Sequence, residues 1–213
     1  MNGHREHDQG DWQGVLGVIL CGGQSRRMGT DKAELSWDGR SLLRRTEETL
    51  RQVLPRICFG VARDAAAAPE GGCAIEDLRA EAGPLAGLEA ALDAAQPMPQ
   101  VEWVLLAACD LPGLHAGVLQ RLATARALAA PGTGALMFGD AEHPQPLIAL
   151  YHTRLLPYVR AALDQGERRM TAWMRQPGAP PVAWVESSGL DSGLTNVNTP
   201  EQWAAWLAQE RSA

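Results

Sequence analysis

Short, unbroken apolar runs alternate with segments of helical period through nearly the whole chain, and this alternation limits the fold more than any other feature. Residues 15–20 form a continuous apolar run leading to Gly22-Gly23, the pattern of a strand buried on both faces of a parallel sheet. Residues 41–53 then place Leu42, Leu43, Leu50 and Val53 among charges at helical spacing, with Ser41 as the N-cap. The same reasoning predicts strands at 57–61, 73–75, 103–108, 134–138, 147–151 and 182–185. Helices are expected at 84–92, 115–128, 155–163 and 199–207, with Pro84 and Pro200 in first turns, where no backbone donor is needed. Strand and helix in such regular alternation predict an α/β fold: one domain, a mostly parallel twisted sheet, helices on both faces, Rossmann-like in plan. Ligands of such folds sit beyond the carboxyl ends of the strands, which directs attention to the residues after Leu20, Ile75 and Ala108.

A length of 213 residues with 46% hydrophobic content suits one domain with a sizeable core. Residues 1–13 are polar and lack the apolar stretch of a signal peptide, so they are expected to be a disordered lead-in to a domain spanning 14–213. The net charge of -6 argues against a nucleic-acid partner, because such binders present basic surface. No apolar run approaches the roughly 20 residues that a membrane span requires. Cys21, Cys58, Cys73 and Cys109 show neither CxxC nor zinc-site spacing, so a cytoplasmic protein with reduced thiols is expected.

The segment after the first apolar run, Leu20-Cys21-Gly22-Gly23-Gln24-Ser25-Arg26-Arg27-Met28-Gly29-Thr30-Asp31-Lys32, carries most of the functional information. Adjacent glycines let backbone amides approach an anion closely. The arginines offer forked donors to phosphate, and Lys32 adds a point charge on a mobile stem. A triphosphate suits this chemistry. It is not a P-loop, since Gly23 and Gly29 are too far apart and Asp31-Lys32-Ala33 ends the segment wrongly. The dinucleotide fingerprint G-x-G-x-x-G is absent as well.

This string resembles the L-A-G-G-x-S-x-R-M-G-x-D-K signature of the molybdenum cofactor nucleotidyltransferases, most of all the guanylyltransferases. Further matching segments are Glu76-Asp77, Gly83-Pro84-Leu85-Ala86-Gly87, Cys109-Asp110-Leu111-Pro112, His143-Pro144, Gly166-Glu167-Arg168-Arg169 and Asn196-Val197-Asn198-Thr199-Pro200. The resemblance implies transfer of GMP from GTP to molybdenum-bound molybdopterin, with Mg²⁺ as cofactor. Molybdenum insertion proteins and molybdoenzyme chaperones are the partners it suggests. A CTP-dependent or sugar-phosphate nucleotidyltransferase is the alternative. Gly22 favours the guanylyl form, because the cytidylyl relatives tend to read L-A-A-G there.

Asp110 follows an apolar run at the mouth of the expected cleft. Such a residue is a turn former or a Mg²⁺ ligand, and the resemblance implies the ligand. On the same resemblance Leu20, Cys21, Gly22, Gly23, Lys32, Asp77, Gly83, Pro84, Leu85 and Asp110 bind the nucleotide. Lys32, Arg27 and Asp110 are then catalytic. Asn196 and Asn198 flank Val197 in an extended stretch, so their carboxamides share one side and suit a phosphate, a pterin edge or a metal-bound water; turn and cap chemistry before Pro200 is the other reading. Arg168 and Arg169, with Arg175 beyond, form a basic group in an acidic chain: a solvated face, or on family likeness the pterin-phosphate site. Trp173 is the one tryptophan placed near that group as a candidate pterin neighbour. The chain departs from the family at Cys21, where alanine is usual, and at Gly60-Val61-Ala62-Arg63, where an asparagine is often found.

Overall fold

The computed structural model describes residues 12–21, 36–63 and 72–210. Strand β1 (Val15–Leu20) is buried along its whole length, as its unbroken apolar sequence requires. A hairpin follows, β2 (Ser36–Trp37) and β3 (Arg40–Ser41), turning through Asp38 and Gly39, both at positive φ. An Asp-Gly pair is the usual chemistry for that two-residue turn, and the hydropathy pattern had not revealed it. Helix α1 (Leu42–Arg51) is capped by the Ser41 hydroxyl, which accepts from the Arg44 amide at 3.2 Å. Next come β4 (Ile57–Val61), β5 (Cys73–Glu76), α2 (Pro84–Ala95), β6 (Trp103–Ala108), α3 (Ala116–Ala127), β7 (Ala135–Phe138) and β8 (Gln145–His152). A 3₁₀ turn, Thr153–Leu155, leads into α4 (Leu156–Asp164), and another spans Ala172–Arg175. The chain ends with β9 (Val182–Val185), α5 (Asp191–Leu194) and α6 (Pro200–Glu210).

The sheet runs β5-β4-β1-β6-β8-β7-β9. Pairs β1/β4, β1/β6, β4/β5 and β7/β9 are parallel, while β8 is antiparallel to both neighbours. From β1 the chain builds outward through β4 and β5, then returns to β6 on the other side. The boundary between β1 and β6 is therefore the switch point where open α/β sheets bind ligands.

Alternate residues of the central strands feed the two faces. Ile19, Phe59 and Leu105 pack beneath α1 and α3 against Leu50, Val118, Leu119 and Leu122. Leu16, Val18 and Leu106 pack on the opposite face against Leu85, Leu88, Leu92 and Val159 of α2 and α4. Each such side chain contributes roughly 1.5–3 kcal/mol on burial, which fixes both helical layers to the strands.

Three expectations change. Trp12, placed by the sequence in the lead-in, is only 2% exposed and joins the core under β1. Trp173 is fully buried against Tyr151 and packs in the α2/α4 layer, so it is a core residue rather than a pterin neighbour. Cys58 and Cys73, expected to be reduced, form a disulfide; β4 and β5 set them directly opposite, with Cα atoms 4.6 Å apart. Among the described residues no helix is long and apolar enough to cross a membrane.

Candidate active site

The carboxyl end of β1 is packed through glycine. A Cβ on Gly60 of β4 would stand 2.9 Å from a Leu20 methyl, and one on Gly87 of α2 would stand 2.8 Å from the same carbon. Leu20 thus packs its side chain closely over Gly60 and Gly87, and a side chain at either position would make it shift. Cys21 continues the sheet, its amide donating to the Gly60 carbonyl at 2.9 Å. Gly22, Gly23, Arg27 and Lys32 lie outside the described residues.

At the end of β6, Asp110 is 8% exposed. Its backbone carbonyl accepts from the Val197 amide at 2.9 Å. Beside it, a Cβ on Gly113 would stand 2.2 Å from the Ser192 carbonyl oxygen, so the loop after β6 and the α5 turn meet backbone to backbone. Val197 is buried, whereas Asn196 is partly buried and Asn198 exposed, and the Asn198 amide donates to the Gln202 carboxamide at 2.7 Å. Asn196 lines a cleft of about 610 Å³ with Gly139, Asp140, His143, Gln145 and Asp191. The Asp140 carboxylate accepts from the Glu142 and His143 amides, each at 2.8 Å, and this shapes the turn that carries His143. Of these lining residues the sequence had singled out His143 but not Asp140, Gln145 or Asp191, which belong to no recognisable motif.

Beyond β5, the Asp77 amide donates to the Val61 carbonyl at 2.9 Å. Burial, with the nearby Glu89 carboxylate second, pushes the Asp77 carboxyl up to about 6. Its Oδ1 lies 3.7 Å from the Cβ position of Gly87, so Leu20, Asp77 and the first turns of α2 share one wall. Glu89 is nearly fully buried and accepts a forked pair from Arg79 at 2.8 and 3.1 Å. Arg79 also bonds Asp164 at 2.7 Å, tying the loop after Asp77 to α2 and α4. This anchoring set escaped the sequence reading; its one visible signal was a glutamate among the apolar residues of 84–92. Gly83 has φ +73°, a conformation that suits glycine, and Pro84 opens α2. Leu85, by contrast, is wholly buried. The Arg168 guanidinium donates to the Glu81 carbonyl, and its backbone lies 3.6 Å from the Gly83 Cβ position. Arg168 thereby holds the Gly83 turn, while Arg169 and Arg175 are exposed.

Among the described residues no group of three or more His, Cys, Asp or Glu side chains surrounds a metal position. A single buried carboxylate at the switch point fits a cation that takes most of its ligands from phosphate and water, as Mg²⁺ does.

Residues 17–179 match the model of the MobA-like NTP transferase domain. The chain belongs to the MobA-like NTP transferase family. A probable molybdenum cofactor guanylyltransferase of Deinococcus radiodurans is 38% identical over 199 residues, covering 89% of this chain and 92% of that protein. A molybdenum cofactor guanylyltransferase of Vibrio parahaemolyticus is 30% identical over 189 residues, with 88% and 92% covered. Among solved structures, the molybdopterin-guanine dinucleotide biosynthesis protein A of Archaeoglobus fulgidus superposes with a TM-score of 0.74. It is 24% identical, and the match covers 93% of this chain and 100% of that one. The MobA-like chain is thus a nucleotidyltransferase of the α/β class.

Proposed function

We propose that this nucleotidyltransferase transfers GMP from GTP to the terminal phosphate of molybdenum-bound molybdopterin, forming the guanine dinucleotide cofactor and releasing pyrophosphate, in the cytoplasm. The observation that carries the reading is the hydrogen bond from Val197 to the Asp110 carbonyl, which docks the Asn196–Asn198 segment beside the carboxylate at the switch point. One wall, formed by Leu20, Asp77 and the start of α2, suits the nucleoside. The other, formed by Asn196 and its cleft, suits the acceptor. Asp110 stands between them, where the α-phosphate and acceptor phosphate have to meet. The basic group contributes Arg169 to the acceptor phosphate, while Arg168 fixes the turn at Gly83.

The acceptor phosphate has a second pKa near 6, so it is largely ionised at neutral pH and requires no general base. One of its oxygens attacks the α-phosphorus, and the bond between that phosphorus and the oxygen bridging to the β-phosphate breaks. Such chemistry depends on positioning and charge neutralisation rather than covalent help from the protein. Lys32 and Arg27 offset the negative charge that grows on the departing pyrophosphate. Asp110 would hold Mg²⁺, which would supply charge neutralisation to the transferring phosphate. Backbone amides at Gly22 and Gly23 cradle the phosphates, and Asp77 faces the nucleoside.

The test is to supply GTP, CTP, ATP and UTP in turn with Mg²⁺ and molybdenum-molybdopterin, then to identify the product by mass. A guanine dinucleotide supports the proposal. A cytosine dinucleotide selects the CTP-dependent alternative, and transfer to a sugar phosphate alone rejects the pterin acceptor.

A further inference from the structure

Cys58 and Cys73, paired in register on the adjacent parallel strands β4 and β5, form a disulfide. The other two cysteines, neither of them in a disulfide, lie one residue beyond the last paired position of β1 and β6, with Cys109 in the turn that follows β6. Strands β1 and β6 pair in parallel with Leu20 opposite Ala108, and Cys21 and Cys109 are the next residue on each chain. The bond from the Cys21 amide to Gly60 keeps this chain in the sheet for that extra residue. Both side chains also take the same face. Ile19 and Ala107, two positions back, belong to the α1/α3 layer, Cys109 belongs to it too, and Cys21 packs against it. Leu20 and Ala108 sit on paired strands, which lie about 4.7–4.9 Å apart, so the two chains enter the next residue within the range of the roughly 4.4–6.8 Å Cα separation that a disulfide spans. Cys109 is buried and Cys21 is half-buried, so an oxidant reaches Cys21 first.

We propose that Cys21 and Cys109 form an oxidisable dithiol whose closure into a disulfide suppresses nucleotide binding. A low-molecular-weight disulfide such as oxidised glutathione is the co-reactant. The Cys21 thiolate attacks one glutathione sulfur, and the first glutathione leaves and takes up a proton. The Cys109 thiolate then attacks the Cys21 sulfur of the mixed disulfide, and the second glutathione leaves likewise. Two protein thiols lose two electrons and two protons, and one glutathione disulfide becomes two thiols. The new bond joins the residue that opens the phosphate string to the residue immediately before Asp110. It fixes the spacing of these two elements where they must adjust around a triphosphate and its cation. Alanine, usual in the family at position 21, has no such chemistry.

The full-length protein is treated with oxidised glutathione, alkylated, digested without reductant and mapped, and GTP binding is measured in parallel. A peptide linking Cys21 to Cys109 is expected, with a loss of GTP affinity of at least about tenfold that dithiothreitol reverses. Cys109→Ala, which puts no polar group into the core, keeps Cys58 and Cys73 but lacks the resolving thiol, so its digest is expected to carry glutathione on Cys21 and no linked peptide. Absence of the linked peptide in the wild-type protein overturns the dithiol. Unchanged GTP affinity in wild-type protein that carries the Cys21–Cys109 bond overturns the link to nucleotide binding. The affinity readout rests on the GTP reading above but the peptide map does not, so failure of either is distinguishable from failure of the other.

Discussion

Gly113→Ala tests the contact that brings the two substrate walls together. The added methyl would lie 2.2 Å from the Ser192 carbonyl oxygen and 2.9 Å from its carbon, against a floor near 3.0 Å for real Cβ contacts. The obstacle is backbone, so no side-chain rotation relieves it, and the loop after β6 must separate from α5 by about 1 Å. Overpacking of this kind costs about 1–3 kcal/mol. Weakening the Val197–Asp110 bond that the same docking supports adds about 0.5–1.5 kcal/mol. Alanine recovers about 0.4–1 kcal/mol by restricting the unfolded chain. The net expectation is a loss of about 0.5–4 kcal/mol, read as a lower urea midpoint with little change in slope. In transfer assays, KM for the acceptor should rise more than KM for GTP, because the Asn196 wall moves while the Leu20–Asp77 wall does not. An unchanged midpoint together with an unchanged acceptor KM would refute the docking argument.

Asp110→Asn keeps the shape and the backbone bond to Val197, so the protein should remain folded by circular dichroism while the metal-dependent rate falls at least about 10²-fold; wild-type turnover would remove Asp110 from the metal site. Lys32→Ala should lower kcat by about 10²–10³-fold, through loss of one donor aimed at the leaving group, and unchanged kinetics would place Lys32 on a solvated face. Asp77, raised to about 6 from an ordinary 3.8, binds its proton more readily folded than unfolded. Its protonation therefore favours the fold most at low pH, and that contribution is lost as pH rises through 6. Guanosine, which carries no phosphate to titrate in this range, should bind more tightly as the Asp77 carboxylate forms above pH 6. Asp77→Asn should flatten both profiles, and an unaltered guanosine profile in the variant would show that another group titrates.

The parts of the fold that were legible in the sequence share a physical origin. Strands β1 and β6 are covered on both faces, so every residue is apolar and the runs stand out. Ser41 caps α1 with its own hydroxyl, which is a local signal. Long-range geometry was not legible. Hydropathy does not tell that β8 runs antiparallel, nor that β4 and β5 pair in the register that joins Cys58 to Cys73. Trp12 was misplaced because its polar neighbours hid a single aromatic that caps the core beneath β1. Trp173 lies close in sequence to Arg169 but points into the layer between α2 and α4. The site divides in the same way. The glycine and cation string after β1 is contiguous in sequence, and from Gly22 to Lys32 it lies outside the described residues. The bond between Asp110 and Val197 joins residues far apart in sequence, and the Arg79–Glu89 anchor behind Asp77 has no motif. Arg168, grouped with the acceptor site by sequence, also bonds the Glu81 carbonyl just before the Gly83 turn, a contact no motif announces.

The account stands most directly on the fate of the α-phosphorus. GTP labelled at that position, incubated with the protein, Mg²⁺ and molybdenum-molybdopterin, should pass its label to the pterin product, with one pyrophosphate released for each label transferred. Release of labelled GMP or GDP with none on the pterin would contradict nucleotidyl transfer to this acceptor at the β1/β6 crevice.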